Sequence, residues 1–97
     1  MIRLYQLRKC PWCAAVRQAL ENVGRRYEAV QVPYEREERE EVLRISHQAL
    51  VPVLVDGDTV LNGSREIVAY LYENYGDATK AERAAELRAE LSAPTRP

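Results

Sequence analysis

At 97 residues and 46% hydrophobic, the chain has material for one ordinary core and too little for two compact domains. A net charge of −1 argues against a dedicated nucleic-acid binder, and no apolar run approaches the ~20 residues that span a bilayer. The opening MIRLYQL lacks the apolar stretch and small-residue cleavage site of a secretory signal, so a cytoplasmic protein is expected.

Residues 2–7 alternate in type and predict a strand. Cys10 then precedes Pro11, which suits the first helical position because its missing N–H has no partner there anyway. Val16, Leu20 and Val23 recur at i, i+4 and i+7, one apolar stripe of a helix, and Gly24 is a candidate C-cap. Tyr27–Val32 predicts a second strand, closed by Pro33. Glu35 to about Ser46 predicts one continuous, solvated helix with Val42 and Leu43 as its apolar contact. Opposite charges at i, i+4 (Glu35/Arg39, Arg36/Glu40, Glu40/Arg44) would add a few tenths of a kcal/mol each.

Val51–Val55 and Thr59–Leu61 flank Asp56-Gly57-Asp58, the pattern of a β-hairpin. Asn62-Gly63-Ser64 leads into a helix with Ile67, Val68, Leu71 and Tyr75 on one side, ended by Gly76. A last helix from Lys80 to about Leu91 carries a weak stripe, Ala84, Leu87 and Leu91, for packing or for contact with a second copy. Residues 1–91 thus form one domain, and residues 92–97 are expected to fray. The order β-α-β-α-β-β-α plus a C-terminal helix predicts an α/β fold. Its sheet is mixed and four-stranded, with crossovers between the first three strands, an antiparallel closing hairpin and helices on both faces.

The two cysteines of Cys10-Pro11-Trp12-Cys13 are too close in sequence for a disulfide between them to close a stabilising loop. In a cytoplasmic chain the spacing points to redox chemistry or to half of a zinc site. No further cysteine exists, and His47, expected to be a solvated residue near a helix end, is the remaining soft ligand. Charge is unevenly spread around this motif. Residues 1–26 carry six basic side chains against Glu21 alone, a local +5 that leaves −6 for the remainder. A positive field favours a thiolate and attracts anionic thiols.

Three motifs together resemble the glutaredoxins of the thioredoxin-fold superfamily over about residues 1–76. They are the Cys-Pro-Trp-Cys run after the first strand, Val51-Pro52 opening the third, and Asn62-Gly63-Ser64 opening the helix after the hairpin. The Ser64–Leu71 stretch is also similar to glutathione-transferase N-terminal domains. The resemblance implies a thioredoxin-like fold, a cis Val51–Pro52 bond beside the cysteines, and a γ-glutamyl carboxylate held at the helix start by Ser64. It also implies thiol–disulfide exchange without a tightly bound cofactor. Cys10, at a helix N-terminus with Lys9 and Arg8 beside it, is the expected nucleophile, its thiol acidified by the helix dipole and these charges. Cys13, one turn inward, would resolve the mixed disulfide. Trp12 and the backbone of Val51 offer a docking surface for an extended thiol peptide.

The sequence departs from glutaredoxins at three places and from transferases at one. Arg65 stands where an Asp usually accepts the glutathione ammonium, Leu7 where a Lys often meets its glycine carboxylate, and Leu50-Val51 where Thr-Val is common; Gly63 replaces the Glu or Gln of transferases. The co-substrate is therefore glutathione or another low-molecular-weight thiol, with Arg65 a candidate contact. Expected partners are protein disulfides and a small-thiol or thioredoxin-reductase-type donor, with no nucleic acid, membrane or metal, on a monomer. A transferase-like thiol-binding module without turnover, and a dedicated electron donor to a reductase such as ribonucleotide reductase, remain open alternatives.

Overall fold

The computed structural model describes residues 1–92; the expected fraying of the tail falls outside them except at Ser92. Strand β1 (Ile2–Gln6) leads to helix α1 (Pro11–Asn22), strand β2 (Tyr27–Gln31) and helix α2 (Glu40–Ser46). The hairpin β3 (Val53–Asp56) and β4 (Thr59–Asn62) follows, then α3 (Ser64–Tyr75) and α4 (Ala78–Ser92). The sheet order is β2-β1-β3-β4, giving the expected mixed four-stranded sheet of an α/β, thioredoxin-like fold.

One expectation about the sheet needs correction. Only β1 and β2 are parallel, and β3 runs antiparallel to β1 with Leu4 opposite Leu54. Despite the helix between them, β2 and β3 are not a parallel crossover pair: they flank β1 on opposite sides and run in opposite directions. Alternation along β1 supplies both cores. Ile2 and Leu4 pack with Val16, Leu20, Leu54, Ile67 and Leu71 beneath α1 and α3. Tyr5 points the other way and packs with Val42, Val53 and Val55 beneath α2. The Tyr5 hydroxyl donates to Glu41, tying α2 to the sheet, and burial with this bond raises its pKa.

Helix α1 ends as predicted. The Gly24 amide donates to the Glu21 carbonyl and the Arg25 amide to the Leu20 carbonyl, the paired bonds of a Schellman cap. In the hairpin, Gly57 sits at φ +62 while Asp58 does not share a positive φ, the pattern of a type II′ turn that favours glycine first.

The predicted helix over 35–46 is broken. Residues Arg36–Glu38 form one 3-10 turn, and α2 starts only at Glu40. Arg39 between them is 5% exposed, so the run is not a uniformly solvated face. Among the described residues no ion pair joins the expected i, i+4 partners; Arg39 turns inward to backbone carbonyls instead of meeting Glu35. Val42 is buried as expected, whereas Leu43 is exposed and Ile45 packs in its place.

Helix α4 lies along α3, which explains why Ala69, not part of the predicted stripe, is fully buried while Val68 is only partly so. Ala84 and Leu87 pack as expected; Leu91 is exposed. Arg88 of α4 bridges Glu66 at 2.7 Å and Glu73 at 2.8 Å, and its guanidinium holds the Glu73 carboxyl below the usual range. The Asp77 carboxylate accepts the Lys80 amide at 3.1 Å, capping α4 and lowering the Asp77 pKa. None of the helices of the described residues is long and apolar enough to cross a membrane.

Candidate functional site

The site is built where β1 hands over to α1. Cys10 is the N-cap of α1, with extended backbone (φ −99, ψ 118), and Pro11 takes the first helical position. An N-cap side chain faces the unpaired amides of the first turn. Here that acceptor is sulfur: the Cys13 amide points at Cys10 Sγ, 3.3 Å away. Arg17, one turn further along α1, fixes the approach. It donates to Gln6 Oε1 at 2.6 Å and to the Arg8 carbonyl at 3.3 Å, clasping the loop that carries Arg8 and Lys9.

The two thiols differ sharply in environment. Both are free; Cys10 is partly exposed and Cys13 fully buried. Burial pushes the Cys13 thiol up to about 11, with a Leu7 backbone hydrogen bond acting against it and the Cys10 side chain adding to it. One sulfur is thus reachable from outside and the other is not.

Trp12, between the two cysteines, walls an open cleft of about 400 Å³ with Gln48, Leu50, Val51, Pro52 and Ser64 among others; neither cysteine is among its walls. Trp12 is 63% exposed and Leu50 54%. The Val51–Pro52 bond is cis and Pro52 is buried. Ser64 is the first residue of α3; the N-cap is Gly63, and no side chain caps this helix end. Trp12, Val51, Pro52 and Ser64 therefore share one cleft. Lys9 is exposed on the loop before Cys10 and is not among the cleft's walls. Arg65 also points elsewhere: its Nε is 3.9 Å from Glu90 of α4, and it lines a second groove between α1, α3 and α4. His47 is exposed with φ 62 at the end of α2.

Sequence reasoning missed three contributors. Gln48 and Leu50 wall the cleft, and Arg17 braces the loop before Cys10; Gln48 and Arg17 are ordinary polar residues in sequence, and no pattern marks them.

A mixed sheet of order β2-β1-β3-β4, a Cys-X-X-Cys N-cap on α1 and a cis-proline before β3 define the thioredoxin-fold class of thiol proteins. Comparison with known proteins narrows this. Residues 4–82 match the family described as glutathione S-transferase, N-terminal domain. A glutaredoxin-like 8.6 kDa protein of the rubredoxin operon of Clostridium pasteurianum is 31% identical over 74 residues, 75% of this chain and 99% of that protein. A delta-class glutathione transferase of Nilaparvata lugens superposes with a TM-score of 0.77 at 26% identity, covering 94% of this chain and 46% of its own. A glutaredoxin of Archaeoglobus fulgidus superposes with a TM-score of 0.56 at 34% identity over 64% of this chain and 73% of its own. The chain belongs to the glutathione S-transferase N-terminal domain family and is a glutaredoxin-like protein of thioredoxin fold. It spans less than half the length of the insect transferase it resembles.

Proposed function

We propose that the protein is a dithiol thiol–disulfide oxidoreductase of the cytoplasm. Cys10 Sγ attacks one sulfur of a substrate disulfide, forms a mixed disulfide and releases the other substrate thiolate. Cys13 then loses its proton, attacks Cys10 Sγ and releases the second substrate thiol. The two electrons that reduce the substrate leave an internal Cys10–Cys13 disulfide, which a small thiol or a reductase returns to the dithiol. The single observation that carries this reading is the asymmetry of the pair: a reachable sulfur faced by a helix amide, with a buried thiol one turn behind it.

Trp12, Val51 and Pro52 are the proposed docking surface, with Ser64 at the α3 start receiving an anionic group of the co-substrate. Glutathione is a fitting co-substrate in view of the glutaredoxin and transferase relatives. Lys9 and Arg65 are proposed as outer electrostatic contacts only, given their places outside the cleft.

A second reading is a thiol-binding module without turnover, favoured by the family match to a transferase N-terminal domain. The two readings part in one experiment. Oxidised protein is mixed with glutathione, with other small thiols, and with NADPH plus thioredoxin reductase, and Trp12 fluorescence is followed. The oxidoreductase is reduced by at least one of these, and its dithiol form then reduces insulin or hydroxyethyl disulfide; Cys10→Ser loses this activity. Wild-type protein that stays oxidised under every donor and reduces neither disulfide overturns the proposal. Retention of glutathione by Cys10→Ser without wild-type turnover would establish the binding module.

A further inference from the structure

Two side chains of the segment leading into the cleft are occupied in an unusual way. The Arg39 guanidinium is buried with no carboxylate partner among the described residues. It donates through Nε to the Pro33 carbonyl (2.7 Å), through one terminal nitrogen to the Tyr34 carbonyl (2.7 Å) and through the other to the Ala49 carbonyl (2.8 Å). It thereby joins the loop after β2 to the residues just before the cleft. Gln48 engages Leu50 as a neighbouring strand would. Its Nε2 donates to the Leu50 carbonyl at 2.9 Å, and its Oε1 accepts the Leu50 amide at 2.6 Å. The Gln48 amide also donates to Ser46 Oγ at 3.1 Å, which fixes its rotamer against the end of α2.

The Ala49 carbonyl and both backbone groups of Leu50 are therefore tied up by side chains from their own molecule. Val51 follows immediately, and among the described residues neither its amide nor its carbonyl makes a hydrogen bond. Val51 is also a wall of the cleft that Trp12 and Leu50 flank.

We infer that Arg39 and Gln48 are positioning residues for the substrate edge. They hold residues 49 and 50 in one path and close the Leu50 backbone to outside strands, so that pairing with an incoming peptide begins at Val51. The inference rests on the disulfide-reductase reading above, with Val51 as the docking edge for an extended peptide, and adds the two side chains that position that edge. Without these ties, ordering the loosened backbone would be left to the binding step, a cost on the order of tenfold in affinity for one residue.

The test compares two substrates on Gln48→Ala, Arg39→Lys and Arg39→Met. One is a short unstructured peptide carrying a single cysteine as its mixed disulfide with 2-mercaptoethanol. The other is hydroxyethyl disulfide, which has no backbone to pair. For Gln48→Ala and Arg39→Met, the peptide KM should rise about tenfold and its kcat should change by less than about twofold. The preference for peptide over hydroxyethyl disulfide, taken as a ratio of kcat/KM, should fall by the same factor. Arg39→Lys, which keeps a donor, should recover part of it. A merely structural role would lower the folded fraction, reduce the apparent kcat on both substrates alike and leave the ratio unchanged; that result overturns the inference. If Arg39→Met does not fold, Gln48→Ala, whose side chain lies at the surface of the cleft, decides alone. A wild-type protein inactive on both substrates would instead overturn the reductase reading.

Discussion

Cys13 has no exposed surface and a thiol pushed up to about 11, chiefly by burial, so at neutral pH it waits protonated behind Cys10. Attack by a thiol requires its thiolate, whose fraction grows tenfold per pH unit well below the pKa. The second half-reaction, resolution of the mixed disulfide, should therefore accelerate about tenfold per unit between roughly pH 7 and pH 9. Stopped-flow Trp12 fluorescence on a preformed Cys10 mixed disulfide checks this; a rate independent of pH over that range would mean that Cys13 is ionised before it attacks. The pair itself was legible in the sequence because Cys-Pro-Trp-Cys follows a strand and a proline fixes the helix start. Arg39 was not legible: one arginine in a run of alternating charges reads as solvated, and only the folded loop after β2 supplies the carbonyls that bury it. Arg65 was read from its place one residue after Ser64, but its partner Glu90 lies on a helix that no short-range pattern could set beside it.

Among the elements, α1, the hairpin and α3 follow closely from local chemistry: a proline and a glycine bound α1, and Gly57, first in the Gly57-Asp58 turn, sets the hairpin. Helix α2 does not, since the inward turn of Arg39 outweighs the small i, i+4 gains that favoured a single helix. The junction of α3 and α4 depends on Gly76 for space rather than for conformation. A Cβ built there would lie 2.6 Å from Lys80 Cβ and 2.6 Å from the Tyr72 carbonyl oxygen. Its φ of −91 is open to any residue, so the constraint is the close approach alone. Gly76→Ala should destabilise the protein by about 1–3 kcal/mol, the range for forced overpacking. Chemical denaturation checks this. Unchanged or raised stability would mean that α4 shifts freely on α3, and the Arg88 bridges to Glu66 and Glu73 would then not hold the two helices in register.

For the molecule as a whole, the order of predicted elements foretold one mixed sheet with helices on both faces, but not that β3 would turn antiparallel beside β1, a long-range choice that strand patterns do not encode. The fold also carries a common response to alkali. Tyr75 is raised to about 12, first by its bond to Asp56; Tyr70 is raised by burial and its own bond to Asp56, and Tyr5 by burial and Glu41. Each group has a higher pKa folded than unfolded, as does Cys13. Their stabilisation is complete below the unfolded values and is lost as pH rises through the folded ones. Stability of the reduced protein should thus decline from about pH 9 upward, first through Cys13 and then through the tyrosines. Denaturation midpoints across pH 7–11 check the sign. Cys13→Ser should remove the earliest part of the decline, and a wild-type profile that stays level to pH 11 would refute it.

The account as a whole turns on which sulfur meets the substrate. Cys13→Ser and Cys10→Ser are each incubated with a glutathione-linked protein disulfide and read by intact mass and peptide mapping. The account requires a stable mixed disulfide on Cys10 in the first variant and none on Cys13 in the second. An adduct on Cys13, or no adduct on Cys10 in a folded Cys13→Ser protein, would contradict it.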